Sequence, residues 1–359
     1  MLATGIVGLP NVGKSTLFNA LTAGHAHVDS YPFTTIDSNL GVVPVPDPRL
    51  VELERVIQPV ECVPSHIEFI DIAGLVEGAS RGEGLGNQFL GNIRQVDAIV
   101  HVLRVFEDSD VAHVFASVDP ARDAGVVETE LLLADLELLK RAIEKRRKEW
   151  QTDPRKHAAE REHFEQYLTT LDQGTALRDL GLDRFRQQEL KSLGLLTGKP
   201  LLYAANVSEE GYGSGQMEPL EGLGPGAAVI PVSAKIEMEL GQLEDGERAL
   251  FMEELGIEVS GMARLVDATF NTLGLIRFYT LANQKLRAWE IEAGTKAPQA
   301  AGKIHTDMEK GFIRAHVAKW DQVVEHGSFQ ELHHQGLLRT EGKECAVEDG
   351  DVIEFFFHA

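Results

Sequence analysis

The sequence predicts an α/β chain in three parts: a doubly wound domain, a helical hairpin inserted into it, and a small α+β domain at the C-terminal end. Three observations predict this. Apolar runs at 2–8, 38–45, 67–72, 98–103, 200–206 and 228–233 alternate with helical stretches, the order of an α/β sheet. Several of these runs carry Val and Ile on both faces, as strands do when helices cover both sides of the sheet. Between the runs at 98–103 and 200–206 lie almost one hundred residues, far more than an ordinary crossover needs.

The long connection reads as two helices. Residues 128–150 carry leucines at 131, 132, 133, 136, 138 and 139, then the basic run Lys145-Arg146-Arg147-Lys148. Asp153-Pro154 breaks the pattern, and 155–171 resumes it with Phe164, Tyr167, Leu168 and Leu171 at helical spacing. Two helices joined by a turn make a hairpin, expected over 128–196 as an insertion into a parent domain of 1–127 and 197–275. Short β-rich segments at 278–281, 287–291 and 351–357, separated by turn signals, place a small α+β domain at 276–359.

Composition narrows the function. Hydrophobic residues at 43% and charged residues at 25% are ordinary for a globular protein. No apolar run reaches the roughly 18–20 residues of a membrane span, and the N-terminus lacks the basic flank of a signal peptide, so a cytoplasmic chain with no membrane partner is expected. Cys62 and Cys345 stand far apart and signal neither a zinc site nor a disulfide framework. The formal charge of −22 repels phosphate backbones at long range, so DNA is not an expected partner. A local basic face remains open, and Lys145–Lys148 at the hairpin tip supplies one, although a solvated helix face would look the same.

The chemistry starts at Gly8-Leu9-Pro10-Asn11-Val12-Gly13-Lys14-Ser15, which matches G-x-x-x-x-G-K-[ST] between a strand and a helix that opens at Thr16. The glycines let backbone N–H groups curl around a β-phosphate, and the helix N-terminus adds partial positive charge. Asn11, Val12, Gly13, Lys14, Ser15 and Thr16 therefore form a phosphate loop, with Lys14 reaching the β- and γ-phosphates and Ser15 ligating Mg²⁺. The domain is thus expected to be a P-loop NTPase. Asp71-Ile72-Ala73-Gly74 ends a strand and fits D-x-x-G, where Asp71 holds Mg²⁺ through water and the Gly74 N–H senses the γ-phosphate. In Pro32-Phe33-Thr34-Thr35 a threonine could complete the metal shell or be an ordinary loop residue.

The base-reading motif departs from a GTPase. Where N-K-x-D is expected, the chain has Asn206-Val207-Ser208-Glu209, followed by Ser233-Ala234-Lys235 in the position of S-A-K. Val207 replaces the lysine whose stem flanks the base, and Glu209 is one methylene longer than the carboxylate that grips guanine. A bidentate carboxylate discriminates because the wrong base leaves buried polar groups unpaired, so its loss relaxes or inverts the preference toward ATP over GTP.

These residues resemble the YchF or Obg-like ATPases, a branch of the Obg-related translation-factor GTPases, over nearly the whole chain. Residues 8–16, 32–35, 71–74, 206–209 and the glycine-rich Gly78-Ala79-Ser80-Arg81-Gly82-Glu83-Gly84-Leu85-Gly86-Asn87-Gln88-Phe89-Leu90 carry the likeness, as does a C-terminal segment that looks like a ubiquitin-like TGS domain. The resemblance implies ATP hydrolysis, a coiled-coil insertion and association with the ribosome or one of its subunits. It maps Mg²⁺ ligands onto Ser15 and Thr35 and the base contact onto the backbone of Val207. Thr34 departs from the cysteine common in the family, without consequence for the metal.

Leu75 stands where many GTPases have a water-orienting Gln, and leucine cannot do this. His113 matches a histidine to which the resemblance gives that role, and a surface histidine beside a helix is its plain alternative. His101, inside a strand, reads as structural. The stretch 78–86 is either a switch that orders on the γ-phosphate or a loop without a role. The pattern G-x-P-N-x-G-K-S at Asn11 further suggests K⁺ between the β- and γ-phosphates. Three other readings stay open: a GTP-specific translation factor, a metabolic kinase on the same loop, and an adaptor whose nucleotide is structural.

Overall fold

The computed structural model describes residues 2–23, 39–74, 85–108, 110–213, 220, 222–224 and 226–358. The chain divides into two compact units, Met1–Val42 with Glu68–Thr269 and Val43–Ile67 with Phe270–Ala359. The expected domain boundaries did not include the second crossing: the segment 43–67 leaves the first unit and returns to it.

The first unit begins with β1 (Ala3–Val7) and α1 (Lys14–Ala23), followed by β2 (Leu40–Pro44). An excursion of α2 (Pro48–Ile57) and β3 (Glu61–Val63) leads to β4 (His66–Asp71), α3 (Leu85–Gln95) and β5 (Ala98–Arg104). After the helices α4 (Pro120–Thr152), α5 (Ala158–Asp172) and α6 (Arg184–Leu193) come β6 (Leu201–Asn206), α7 (Glu209–Gly213), β7 (Val229–Val232), α8 (Ala234–Leu240), α9 (Asp245–Glu254) and α10 (Gly261–Thr272). The sheet order is β2-β4-β1-β5-β6-β7, with β4, β1, β5, β6 and β7 pairing in parallel. Every residue of β1 and β5 is buried, which is why their sequences show no alternation. The chain passes to opposite sides of β1, a switch point at which open α/β sheets bind ligands beyond their strand ends.

The insertion is helical, as expected, but its first helix starts earlier. Asp119 accepts a hydrogen bond from Arg122 N and Pro120 sits in the first turn, so α4 runs 33 residues, about 50 Å at the standard rise. Leu139, Phe164, Tyr167 and Leu171 form the seam of α4 and α5, and Leu190 of α6 joins them. Buried Asp135 accepts from Leu196 N, Thr197 N and Thr197 Oγ1, each at 2.8 Å, and so ties the middle of α4 to the chain returning toward β6.

The second unit adds β8 (Leu275–Ala282), β9 (Lys285–Glu292), α11 (Ala297–Ile304), α12 (Thr306–Lys310), β10 (Phe312–Lys319), α13 (Trp320–His326), α14 (Phe329–His334), β11 (Arg339–Glu341) and β12 (Asp351–Phe357). Its sheet order is β11-β10-β12-β8-β9-β3. The hairpin of β8 and β9 turns on Asn283 and Gln284, both at positive φ, as a tight two-residue turn requires. Residues 43–67 belong here for physical reasons. Leu50 and Leu53 of α2 pack with Tyr279, Leu286 and Val323, and β3 extends the sheet in parallel with β9. Asp47 caps α2 and accepts from the Tyr279 hydroxyl at 2.6 Å. Arg49 pairs with Asp349 at 2.6 Å.

Candidate functional site

The glycine-rich loop leaves the C-terminal end of β1 and enters α1. Asn11 takes a left-handed φ of 64° and Gly13 a φ of 96°, so the loop curls back on itself before the helix begins. A Cβ on Gly13 would collide with the Asn206 amide. That amide locks the loop: Asn206 Nδ2 donates to Val12 O at 3.0 Å, and Asn206 Oδ1 accepts from Ala234 N at 3.1 Å. The first residue of the base-reading motif thus clamps the phosphate loop to Ser233-Ala234-Lys235.

Lys14 is buried, and its ammonium donates to Leu9 O at 2.7 Å. Burial pushes its pKa down to about 8, against the opposing pull of Asp71. Gly74 approaches it so closely that a Cβ there would lie 3.0 Å from Nζ. Ser15 Oγ donates to Asp71 Oδ2 at 2.9 Å, while Asp71 Oδ1 is buried with no partner among the described residues. A hydroxyl and a carboxylate with an unspent oxygen are a hard donor pair that suits a small divalent cation, completed by phosphate and water oxygens. No cluster of three His, Cys, Asp or Glu side chains suited to a metal occurs among the described residues. Thr35, Thr34, Leu75 and residues 78–84 lie outside the described residues.

Beyond the loop opens a cavity of about 800 Å³. Asn11, Val12, Gly13 and Thr16 of the glycine-rich loop line one side; Asn206, Val207, Ser208, Glu209, Ser233, Ala234 and Lys235 line another. Val207 is buried with Tyr212, Ile236 and Leu240. Glu209 is exposed and forms an ion pair with Lys235. Every base-end residue expected from sequence is therefore gathered around one space.

His113 is not among the residues lining that cavity. Its ring is buried; Nδ1 accepts from Phe115 N at 3.2 Å, so Nε2 carries the proton and donates to Asp123 Oδ2 at 2.9 Å. The neighbouring residue does reach the loop, because Asn11 Nδ2 donates to Ala112 O at 3.2 Å. His101 is fully buried beside Tyr203, its Nε2 has no partner among the described residues, and burial lowers its pKa to about 3, so it stays neutral inside the sheet.

Sequence reasoning missed the cavity's third side. Phe106, Glu107, Asp108 and Val111, just after β5, line it as well. The available signal was Arg104, a charged residue closing the otherwise uncharged strand Ala98–Arg104.

Residues 3–148 match the family described as "50S ribosome-binding GTPase", and 275–358 match a YchF GTPase C-terminal family described as a protein of unknown function. Over 357 residues the chain is 45% identical to the ribosome-binding ATPase YchF of Escherichia coli O157:H7, spanning 99% of this chain and 98% of that protein. The corresponding Bacillus subtilis (strain 168) protein is 44% identical over 363 residues, with 99% of each chain covered. The solved YchF GTPase of Schizosaccharomyces pombe superposes with a TM-score of 0.88 at 35% identity, covering 99% of this chain and 97% of that one. A GTP-binding protein from Pyrococcus horikoshii OT3, with a TM-score of 0.63 and 18% identity over 99% of this chain and all of the other, shares the fold.

Proposed function

The chain belongs to the YchF family of P-loop nucleoside-triphosphatases, and on that premise we propose that it hydrolyses ATP in preference to GTP as a switch for ribosome association in the cytoplasm. The observation that carries the preference is the pairing of Glu209 with Lys235. Glu209, one methylene longer than the guanine-reading carboxylate, lies against the neighbouring Lys235, and Val207 offers no stem to flank a base. A site that cannot satisfy the N1–H and N2–H of guanine loses the interaction by which GTPases reject ATP.

Lys14 then neutralises the β- and γ-phosphates, and the loop N–H groups hold the β-phosphate. Ser15 and Asp71, with Thr35 from outside the described residues, would hold Mg²⁺, which supplies charge neutralisation on the phosphate oxygens. The N–H of Gly74, which packs close to Lys14, would sense the γ-phosphate. His113, fixed in one tautomer by Asp123, is the group we assign to the attacking water, after its ring leaves Phe115 N. Asn11 would hold part of a K⁺ shell. The C-terminal unit, read as TGS-like, and the hairpin tip form the macromolecule-binding faces, since neither carries catalytic motifs.

Single-turnover ATP hydrolysis with and without ribosomes tests the whole reading. Slow hydrolysis that changes on ribosome binding supports a switch. Phosphoryl transfer to a small acceptor would instead indicate a kinase, and tight binding without turnover an adaptor.

A further inference from the structure

Arg104 closes β5, and its side chain is among the largest fully buried ones in the described chain. No carboxylate among the described residues pairs with it. Its guanidinium is instead spent on backbone: Nε donates to Phe106 O at 3.0 Å, Nη2 to Asp108 O at 3.1 Å and Nη1 to Val111 O at 2.9 Å. The same group lies over the Phe106 ring, 4.9 Å from its centroid. Three carbonyls from one short irregular stretch therefore converge on one planar cation, whose rigid fork holds them in a fixed arrangement. An isolated buried cation is unfavourable, so this contact set is what keeps the charge in place.

The residues so gathered are cavity residues. Phe106, Glu107, Asp108 and Val111 line the space that Asn206–Glu209 and Ser233–Lys235 line from elsewhere. The far end of the stretch is anchored to the phosphate loop through Asn11 Nδ2 and Ala112 O. Asp108 Oδ1 accepts from Asp110 N at 2.8 Å, which stiffens it locally. With Glu209 and Glu210, this wall brings four carboxylates to the cavity against one lining cation, Lys235, which Glu209 already pairs. Ionised carboxylates only accept hydrogen bonds. Where such a wall faces the 6-position, it accepts from the 6-amino group of adenine and repels the 6-oxo oxygen of guanine, whose own donors lie apart at N1 and N2.

We propose that Arg104 is a positioning residue that fixes the Phe106–Asp108 wall of the cavity and thereby contributes to the selection of 6-amino over 6-oxo purine nucleotides. This rests on the nucleotide-site reading above. Arg104 touches neither base nor phosphate in this account; it acts through the carbonyls it holds.

The test is the affinity of Arg104→Lys for fluorescent ATP and GTP analogues, alongside its melting temperature and its single-turnover rate at saturating ATP. Lysine keeps the charge but loses the fork. We expect ATP affinity to fall about tenfold, the ATP-to-GTP preference to shrink at least about threefold, and the rate at saturation to stay within about twofold. A folded Arg104→Lys protein with unchanged affinities, or with ATP and GTP weakened equally, overturns the proposal. Should the variant fail to fold, Glu107→Gln with Asp108→Asn decides the matter, because it leaves the guanidinium contacts intact. That pair should reduce the preference with little loss of ATP affinity, and an unchanged preference contradicts the wall's role. Lys14→Ala separates the two levels: retained triphosphate affinity there defeats the nucleotide-site reading itself, not merely the part given to Arg104.

Discussion

His113 Nε2 and Asp123 Oδ2 lie 2.9 Å apart, and Asp123 is held in turn by Arg122 at 2.8 Å. The pair joins the loop after β5 to the first turn of α4 and fixes which ring nitrogen bears the proton. If Nδ1 acts on the attacking water, His113→Ala should slow single-turnover hydrolysis about 100-fold and leave ATP affinity within about twofold. Asp123→Asn, which unfixes the tautomer, should slow it less. Equal losses in affinity and rate for His113→Ala would make the ring a packing element only.

Lys14 gives a pH signature. Its free-protein pKa near 8 lies below that of an ordinary lysine because burial disfavours the charge. If Lys14 binds phosphate as its ammonium, ATP affinity should be full below pH 8 and decline as pH rises through it, approaching tenfold per unit. Titrations with ATP at pH 7 and pH 9 should differ about tenfold. Lys14→Ala should bind poorly at both pH values.

The basic run on the hairpin divides in two. Arg146 donates to Glu160 at 3.0 Å and lies 5.1 Å from the Phe164 ring centroid, so it belongs to the seam between α4 and α5. Arg147 is exposed and reaches only Glu144 at 3.6 Å; Lys145 and Lys148 make no ion pair among the described residues. Changing Arg147 and Lys148 to Gln should weaken ribosome co-sedimentation and reduce its salt dependence by about one to two in log–log slope. Arg146→Ala should instead lower the melting temperature. Unaltered binding in the double variant would leave the tip merely solvated.

What could be read from sequence was local. Residues 8–15 carry their own backbone chemistry, and strands buried on both faces, such as β5, announce themselves as unbroken apolar runs. The allegiance of 43–67 could not be read, because it depends on a three-residue strand pairing with β9, more than two hundred residues later. The start of α4 was marked by Asp119-Pro120, a cap and first-turn proline overshadowed by the leucines further on. Arg104 was missed because an arginine after an apolar run reads as the exit to solvent. Its burial becomes intelligible only with the carbonyls of Phe106, Asp108 and Val111 in view.

Asn11 separates two uses of one amide. Its Nδ2 serves Ala112 O. If the side chain also holds part of a K⁺ shell, ATP turnover should rise severalfold when KCl replaces NaCl at equal ionic strength, and Asn11→Ala should remove the difference. Equal rates in both salts for the unmodified protein would remove the cation from the account.

The central claim is the choice of base, made by Val207 and by a Glu209 spent on Lys235. Titrating fluorescent ATP and GTP analogues into the same protein, with Mg²⁺ and at one ionic strength, tests it most directly. The account predicts that ATP binds about tenfold or more tightly than GTP, the scale of one displaced polar recognition contact. Equal affinities, or tighter binding of GTP, would contradict it.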